Sequence, residues 1–388
     1  MIFERRIDRR KLVAVSALAL LGACTMVPKA PPPVDTGPAP APEPTTNLPT
    51  DTARHRVALL VPMTGGNSAV GQSIANAATM AILDTNAQNL RVTTYDTSGG
   101  AGEAAKRALA DGNRLILGPL LSDDIPAVAV AARAARVPLI SFSNDATSAS
   151  KDVFIMGNLP GQSVKRTVGY ASSKGIRSYA ALVPRGEYGD RVSKDLLAAV
   201  RASGGSVSAM EVYDRSNTSV VSAAKRLRDK GGYDAVLIAD GGSISARAAM
   251  QLKPIASAAT PRILGTELWS GEKDVTASPA LTGAWYSTVA DGKFGQFSKS
   301  YRSRFGAQPY RIATLGYDAV LLSLRVARDW KPGSDFPMRN LLDRSGFLGL
   351  DGPFRFGANG VIERALEVRE VAPGNVQTVS PAPTRFGG

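Results

Sequence analysis

The chain has 388 residues but a single cysteine and a single histidine, and these two residues restrict its chemistry. His55 stands just before the first predicted strand. Ser-His-Asp catalysis and histidine-based metal sites are therefore excluded from the residues that follow it. Cys24 ends an apolar run near the start of the chain, and a lone cysteine cannot form an internal disulfide.

Two further patterns come close to catalytic motifs without completing them. Residues 66–73 read "GNSAVGQS", which nearly matches a phosphate-binding loop, but Gln72 stands where the lysine must be. Two S-x-x-K tetrads begin at Ser148 and Ser222, and the S-D-N and K-T-G sequences that accompany them in penicillin-binding enzymes are absent. No carboxylate pair stands out as an acid/base couple. We therefore predict that the protein is not an enzyme and holds no cofactor and no metal.

The first 23 residues have the organisation of an export signal. A basic head precedes about a dozen mostly apolar residues, too few for a membrane-spanning helix, which needs roughly 20. Residues 21–24 read "LGAC" and resemble a bacterial lipobox, which implies that Cys24 is the lipidated first residue of the mature chain. The alternative is a free cysteine after an ordinary signal peptide. Because Thr25 follows, the resemblance to Gram-negative lipoproteins favours the outer membrane.

Residues 24–54 are rich in proline, alanine and threonine and predict an extended, lipid-anchored linker. The formal net charge of the whole chain is +13, and removal of residues 1–23 would leave +10. A basic exported protein favours acidic envelope components or an acidic protein partner, with no nucleic acid. A generally basic, solvated surface explains the charge equally well.

From residue 55 onward, apolar runs alternate with segments that carry apolar residues at helical spacing. Near-continuous apolar strands indicate parallel sheets that are covered on both faces. About four strand–helix units precede Lys151 and about four follow Gly161. The pattern predicts an α/β protein with two doubly wound parallel-sheet lobes. A single barrel has the same alternation, but the C-terminal portion interrupts the repeat.

Several longer stretches resemble the type 1 periplasmic binding proteins, the leucine/isoleucine/valine-binding family, between about Arg56 and Val371. The most specific are "TLGYDAVLLSLRVA" and "FLGLDGPFRFGANG", with "GPLLS", "LISFSNDAT" and "EYGDRVSKDLLAAV" in support. The resemblance implies two lobes joined by three crossovers, near residues 161, 290 and 346. Lobe 1 would contain residues 55–161 and 290–345, and lobe 2 residues 162–289 and 346–374. Residues 375–388 are expected to form a flexible tail.

In open α/β sheets, ligands bind beyond the carboxyl ends of the strands, and polar loops follow many of the predicted strands here. By resemblance to the family, a ligand would lie between the lobes. Its contacts would be Ser122, Ser143 and Thr147 in lobe 1, and Tyr188, Ser243 and Glu267 in lobe 2.

Two functions are compatible with these features. The anchor, the linker and the fold together resemble the penicillin-binding protein activators, outer-membrane lipoproteins that stimulate peptidoglycan synthases, and this is the favoured interpretation. The alternative is the substrate-binding component of an ABC transporter for branched-chain or other amino acids. Both place the protein in the periplasm, held to a membrane through its lipid only.

Overall fold

The computed structural model describes residues 53–216, 218–252 and 260–386. The predicted signal peptide, Cys24 and all but the end of the predicted linker lie outside the described residues. The described strands are β1 (His55–Val61), β2 (Leu90–Asp96), β3 (Leu115–Leu117), β4 (Leu139–Ser141), β5 (Val153–Ile155), β6 (Ser178–Pro184), β7 (Ser206–Tyr213), β8 (Ala235–Ile238), β9 (Arg262–Leu264), β10 (Trp285–Thr288), β11 (Phe347–Gly349), β12 (Gly352–Phe356), β13 (Ile362–Arg364), β14 (Glu367–Ala372) and β15 (Asn375–Ser380). The described helices are α1 (Ser68–Thr85), α2 (Ala101–Ala110), α3 (Ile125–Ala134), α4 (Pro160–Ser173), α5 (Glu187–Ala202), α6 (Ser219–Lys230), α7 (Gly242–Gln251), α8 (Lys273–Ala277), α9 (Phe294–Phe305) and α10 (Thr314–Ala327).

The first lobe is built on a parallel sheet with the strand order β2-β1-β3-β4-β5. Its inner strand β1 is buried from Val57 to Val61, because side chains from helices cover both faces of the sheet. Helices α1, α2, α3 and α10 contribute to this core. Helix α9 adds Phe297 and Tyr301, which pack against Met80 of α1.

The second lobe repeats the same strand order in its parallel part, β7-β6-β8-β9-β10. Strands β14 and β15 extend this sheet in antiparallel orientation beside β10. Helices α4 and α5 cover one face of the sheet, and α6, α7 and α8 cover the other. The doubly wound α/β class predicted from the sequence is therefore the observed one.

The chain passes between the two lobes three times within the described residues. The first two passages lie at residues 156–159 and 289–293. The third lies at residues 365–366, between β13 and β14, and not near residue 346. Strands β11, β12 and β13 form a small antiparallel sheet whose residues Phe354, Phe356 and Ile362 join the core of lobe 1. Residues 346–364 thus pack with lobe 1, where the prediction placed them in lobe 2.

The C-terminal residues also differ from the prediction, which had a flexible tail from residue 375. Strand β15 pairs with β14 along the edge of the second sheet, from the Ala372–Asn375 pair onward. Val376 and Val379 pack from this strand against the two faces of that lobe. The two valines of "NVQTVS" each contact an apolar surface of the lobe, one on either face of the sheet, and this outweighs the polar composition of the segment.

Within the described part of the chain, no helix is both long and apolar enough to cross a membrane. Across the same residues, no group of three or more potential metal-ligating side chains comes together.

In both lobes, the helix that follows the first strand packs so closely against the end of that strand that only glycine fits at the contact. A Cβ on Gly71 of α1 would lie 1.8 Å from the carbonyl oxygen of Pro62, and a Cβ on Gly189 of α5 would lie 1.8 Å from that of Pro184. Both distances are far shorter than atoms allow, so only glycine lets the helix approach the end of its strand. These two glycines bring α1 and α5 close to the edge where the polar loops lie.

We predict that Gly71→Ala lowers the free energy of unfolding by about 1–3 kcal/mol, because the added methyl group pushes α1 away from β1. Gly169→Ala is the matched control, since Gly169 is exposed on α4 with no atom within 4 Å of the added methyl. The control should gain roughly 0.5–1 kcal/mol from helix propensity. Denaturant titration of both variants measures the difference. Equal effects of the two substitutions would contradict the close-approach argument.

Candidate functional site

The candidate site lies at the carboxyl ends of the parallel strands. In both lobes the strand order reverses direction beside the first strand, between β1 and β3 and between β6 and β8. Such switch points open a crevice in doubly wound sheets, and ligands bind there. The predicted site residues follow β3 and β4 in lobe 1, and β6, β8 and β9 in lobe 2.

The loop after β4 is organised around the carboxylate of Asp145. Thr147 donates to Asp145 Oδ1 from its backbone N–H at 3.0 Å and from its hydroxyl at 2.8 Å. Ser148 donates its hydroxyl to Asp145 Oδ2 at 3.1 Å. The backbone N–H of Asp145 donates to Ser143 Oγ at 3.0 Å. The predicted residues Ser143 and Thr147 are thus brought together, but by a carboxylate of the protein itself.

Asp145 is almost completely buried yet favours its ionised form. Burial alone would raise the pKa of its carboxyl group. The two hydrogen bonds from Thr147, the positive charge of Arg191 and the bond from Ser148 outweigh that effect, so the pKa lies below its ordinary value. The carboxylate is therefore charged at neutral pH.

Arg191 connects the two lobes across the cleft. It lies on α5 of lobe 2, and its Nε is 3.7 Å from Asp145 Oδ1 of lobe 1. Its Nη1 is 3.5 Å from Asn144 Oδ1, and its Nη2 donates to Glu187 at 2.7 Å. The guanidinium group thus holds one carboxylate from each side of the cleft.

Tyr188 and Glu267 form a second polar group, entirely within lobe 2. The hydroxyl of Tyr188 lies 3.1 Å from Glu267 Oε1 and 3.0 Å from Thr266 Oγ1. Burial and the neighbouring carboxyl group raise the pKa of Tyr188, so the phenol keeps its proton and can donate it to Glu267. This pair brings together two of the residues predicted from the sequence.

Glu267 has one oxygen that nothing in the described structure satisfies. Its Oε2 is buried and lacks a hydrogen-bond partner. Burial raises the pKa of Glu267 to about 7, although a backbone hydrogen bond and the bond from Tyr188 act in the opposite direction. The carboxyl group therefore titrates near neutral pH.

A small cavity beside Glu267 lies where the chain passes between the lobes. Its volume of about 10 Å³ is at the lower limit for one water molecule. Its walls include Asn158, Val289 and Leu366, one from each region where the chain crosses between lobes. Glu267 therefore lies at the base of the cleft, where relative movement of the lobes changes its surroundings.

A third polar group completes the lobe 2 side. Arg215 donates from Nε to Asp240 Oδ2 at 2.9 Å, and Tyr213 donates its hydroxyl to the same oxygen at 2.6 Å. The guanidinium carbon of Arg215 lies 5.5 Å from the centre of the Tyr188 ring. Arg215 is thus already matched by a carboxylate, as Arg191 is.

The remaining two predicted residues stand apart from these groups. Ser122 begins a short 3₁₀ helix after β3, and its hydroxyl donates to the neighbouring Asp123 at 3.3 Å. Ser243 is exposed in the first turn of α7. Among the described residues, neither makes a hydrogen bond to another predicted site residue.

Sequence reasoning missed the partners that organise the site, namely Asn144, Arg191 and Thr266. Asn144 lies within the quoted stretch "LISFSNDAT", and Arg191 lies within "EYGDRVSKDLLAAV". One signal was available: Glu187 and Arg191 are four residues apart, a spacing that places them on one helix face. Nothing in the sequence indicated that Arg191 reaches into the opposite lobe.

A separate cavity of about 610 Å³, the hinge groove, lies beside the third crossover and is lined by none of the predicted site residues. Lys165, Arg166 and Arg355 line it, together with Glu363 and Phe386. Arg355 pairs with Glu363 at 2.7 Å, and Arg166 donates to the Leu366 carbonyl at 3.1 Å. Lys165 is exposed, which leaves the groove basic.

Comparison with solved structures finds many α/β binding proteins of the same fold. A leucine-binding protein of Thermotoga maritima has a TM-score of 0.64 at 19% identity, covering 84% of this chain and 98% of its own. A branched-chain amino acid ABC transporter periplasmic ligand-binding protein of Burkholderia xenovorans has a TM-score of 0.69 at 16% identity, with 86% and 96% coverage. A solute-binding protein of Rhodopseudomonas palustris, in complex with 3,4-dihydroxybenzoic acid, has a TM-score of 0.64 at 19% identity, with 86% and 97% coverage. At these identities the similarity establishes the fold alone.

Among curated proteins, an uncharacterized protein of Rickettsia prowazekii is 25% identical over 173 residues. The alignment covers 44% of this chain and 46% of that relative, so this chain matches less than half of the length of the relative. The family model described as "Periplasmic binding protein" matches residues 55–375, which include both lobes. The chain therefore belongs to the periplasmic binding protein family.

Proposed function

We propose that this protein is a non-enzymatic receptor that binds a small molecule with a protonated amine between its lobes. It would act as the substrate-binding component of an ABC transporter. The single observation that carries the proposal is Glu267, whose buried Oε2 has no partner in the described structure and lies at the base of the cleft. A ligand ammonium group would supply both the missing hydrogen bond and the missing positive charge.

The charges around the cleft support an amine. Arg191 and Arg215 each contact a carboxylate of the protein, at Asp145 and Asp240. A ligand with only negative groups would have to compete with these carboxylates for the same guanidinium groups. An ammonium group meets Glu267 instead, where the phenol of Tyr188 already fixes the other oxygen.

The family and the neighbours support a receptor function. Members with this fold include proteins named for leucine and for branched-chain amino acids. Amino acids carry the required ammonium group and are the first ligands to test. A periplasmic location is typical of the family, and a lipid on Cys24 would hold the receptor at a membrane surface.

We expect an amine ligand to bind more tightly as the pH rises from 5.5 to 8.5, because Glu267 must lose its proton to pair with the ammonium group. Affinity should rise by up to about tenfold per pH unit below pH 7 and level off above it. Isothermal calorimetry with a panel of amino acids and simple amines, in buffers of different pH, measures this dependence.

Glu267→Gln is the control for this experiment, because the amide keeps the shape of the side chain without titrating. It should weaken binding at pH 8 and remove the pH dependence. If the wild type binds none of the panel, or if binding tightens as the pH falls, the receptor proposal fails.

A second prediction about Glu267 needs no ligand. Because burial raises its pKa from an ordinary 4.5 to about 7, its contribution to stability is fully present below pH 4.5 and is lost as the pH rises towards 7. Glu267→Gln should therefore raise the free energy of unfolding relative to the wild type at pH 8, and raise it less or not at all at pH 4.5. Urea titrations at both pH values test this, and a gain that is the same at both would contradict it.

A second candidate function is activation of a peptidoglycan synthase, as the resemblance of the anchor and linker suggests. The observation that favours it is the hinge groove, a basic surface outside the cleft where Lys165 is exposed beside Phe386. A protein partner with an acidic segment fits such a surface, because charged and aromatic groups together provide both attraction and contact area.

If this candidate is correct, Lys165→Glu should weaken the capture of a bifunctional peptidoglycan synthase by up to about fivefold, which corresponds to the roughly 0.2–1 kcal/mol of an exposed ion pair. Lys299→Glu makes the same charge change on the exposed surface of α9 and should have no effect. Surface plasmon resonance with the purified synthase measures both variants. Equal binding by all three proteins would remove the hinge groove from consideration.

A further inference from the structure

The loop after β4 holds its own carboxylate where a ligand carboxylate would find donors. The backbone N–H and the hydroxyl of Thr147 point to one oxygen atom, Asp145 Oδ1. Paired N–H and O–H donors of this kind are what a ligand carboxylate requires. The hydroxyl of Ser148 satisfies the second oxygen, and Arg191 supplies the positive charge.

We propose that Asp145 is a built-in replacement for a ligand carboxylate, so that the cleft selects amines that lack a carboxylate. This inference rests on the proposed receptor function and narrows its ligand class. The carboxylate of Asp145 takes the place of the carboxylate of an amino acid. The ligand therefore supplies only an ammonium group, which pairs with Glu267.

The cost of displacing Asp145 supports this selectivity. Only 12% of its side chain is exposed, and its two oxygens together accept three hydrogen bonds in the loop. A ligand carboxylate that took the Thr147 donors would leave Asp145 buried without them, which is costly for an ionised group. The two carboxylates would also repel each other within the same pocket.

The remaining charges at the cleft act in the same direction. Arg191 divides its donors between Asp145 and Glu187, and Arg215 contacts Asp240. Glu267 adds a further carboxyl group, and its buried Oε2 has no hydrogen-bond partner among the described residues. Arg364 also lines the cavity beside Glu267, but the carboxyl groups that act on its charge are those of Asp351 and Asp318. Together these pairings favour a cation over an amino acid, which carries equal positive and negative charge.

The contact between Asp145 and Arg191 also links this selectivity to lobe closure. Asp145 belongs to lobe 1 and Arg191 to α5 of lobe 2, so their contact forms only when the lobes approach. An amine ligand leaves this contact in place. A ligand carboxylate bound to Thr147 would remove one side of it and weaken the closed arrangement.

Matched pairs of ligands that differ by one carboxylate test the inference. The probes are leucine and 3-methylbutylamine, arginine and agmatine, and lysine and cadaverine, each titrated into the full chain by calorimetry at pH 8. We expect the wild type to bind at least one amine tenfold or more tightly than the amino acid of the same pair. Asp145→Ser frees the Thr147 donors and removes the charge, so it should reduce that preference at least tenfold or reverse it.

Two further variants test whether a change in preference comes from the loss of the Asp145 charge or from damage to the fold. Asp145→Asn keeps an acceptor for Thr147 without the charge, and it should reduce the preference even if the serine variant fails to fold. Asp152→Ser removes another partly buried aspartate of lobe 1, which pairs with Arg133 at 2.6 Å, and it should leave the preference unchanged.

The outcomes separate this inference from the receptor function itself. If the wild type binds an amino acid as tightly as or more tightly than its amine, the receptor function stands and the role of Asp145 is overturned. A preference that Asp145→Asn and Asp145→Ser both leave intact also overturns it. If none of the six probes binds, the receptor proposal fails, and the inference fails with it.

Discussion

The buried carboxylate of Asp351 fixes the segment on which the geometry of the cleft depends. Arg311 contacts its Oδ1 at 2.7 Å and Thr314 donates to its Oδ2 at 2.8 Å, which ties the turn between β11 and β12 to the start of α10. A carboxylate with no exposed surface needs this full set of partners, since removing one leaves a buried charge uncompensated. The small sheet β11–β13 is held on lobe 1 in this way, and its last residue, Arg364, immediately precedes the third crossover.

How far the fold could be read from the sequence depended on where each segment buries its apolar side chains. Strands such as β1 and β8 are continuous apolar runs, so their parallel pairing inside a doubly wound sheet followed from composition alone. The segment after residue 346 was different. The alternation of Phe354 and Phe356 along β12 identifies a strand face but not the lobe on which that face packs, because both lobes offer an apolar surface. Strand β15 was missed for a related reason, since its pairing with β14 adds stability that composition does not report.

Contacts at the candidate site could be predicted from the sequence only where both partners belong to one loop or one lobe. Tyr188 and Glu267 were both selected by resemblance to the family, and both follow strands whose carboxyl ends lie at one edge of the sheet. The contact between Asp145 and Arg191 was not foreseeable, since it joins residues on different lobes and requires the lobes to be close. The raised pKa of Glu267 was equally hidden, because it arises from burial against segments distant in sequence. Residue types thus indicated which loops to consider, while the partners of each charge became visible only in the folded structure.

The two candidate functions use one hinge. The cavity beside Glu267 and the hinge groove share Gln162, Arg364 and Leu366 as lining residues. Gln162 on α4 accepts a hydrogen bond from the backbone N–H of Arg364 at 3.0 Å, and Arg364 itself donates to the Met156 carbonyl at 2.9 Å. These bonds join the first crossover to the third, so a change in lobe angle alters both cavities together. A ligand that pairs with Glu267 and a partner that binds the groove would each act on the same set of bonds. Coupling between two sites requires such a shared element with different energies in its two arrangements. Both proposals place that element at the hinge between the lobes, so ligand recognition and partner recognition would be compatible in one molecule.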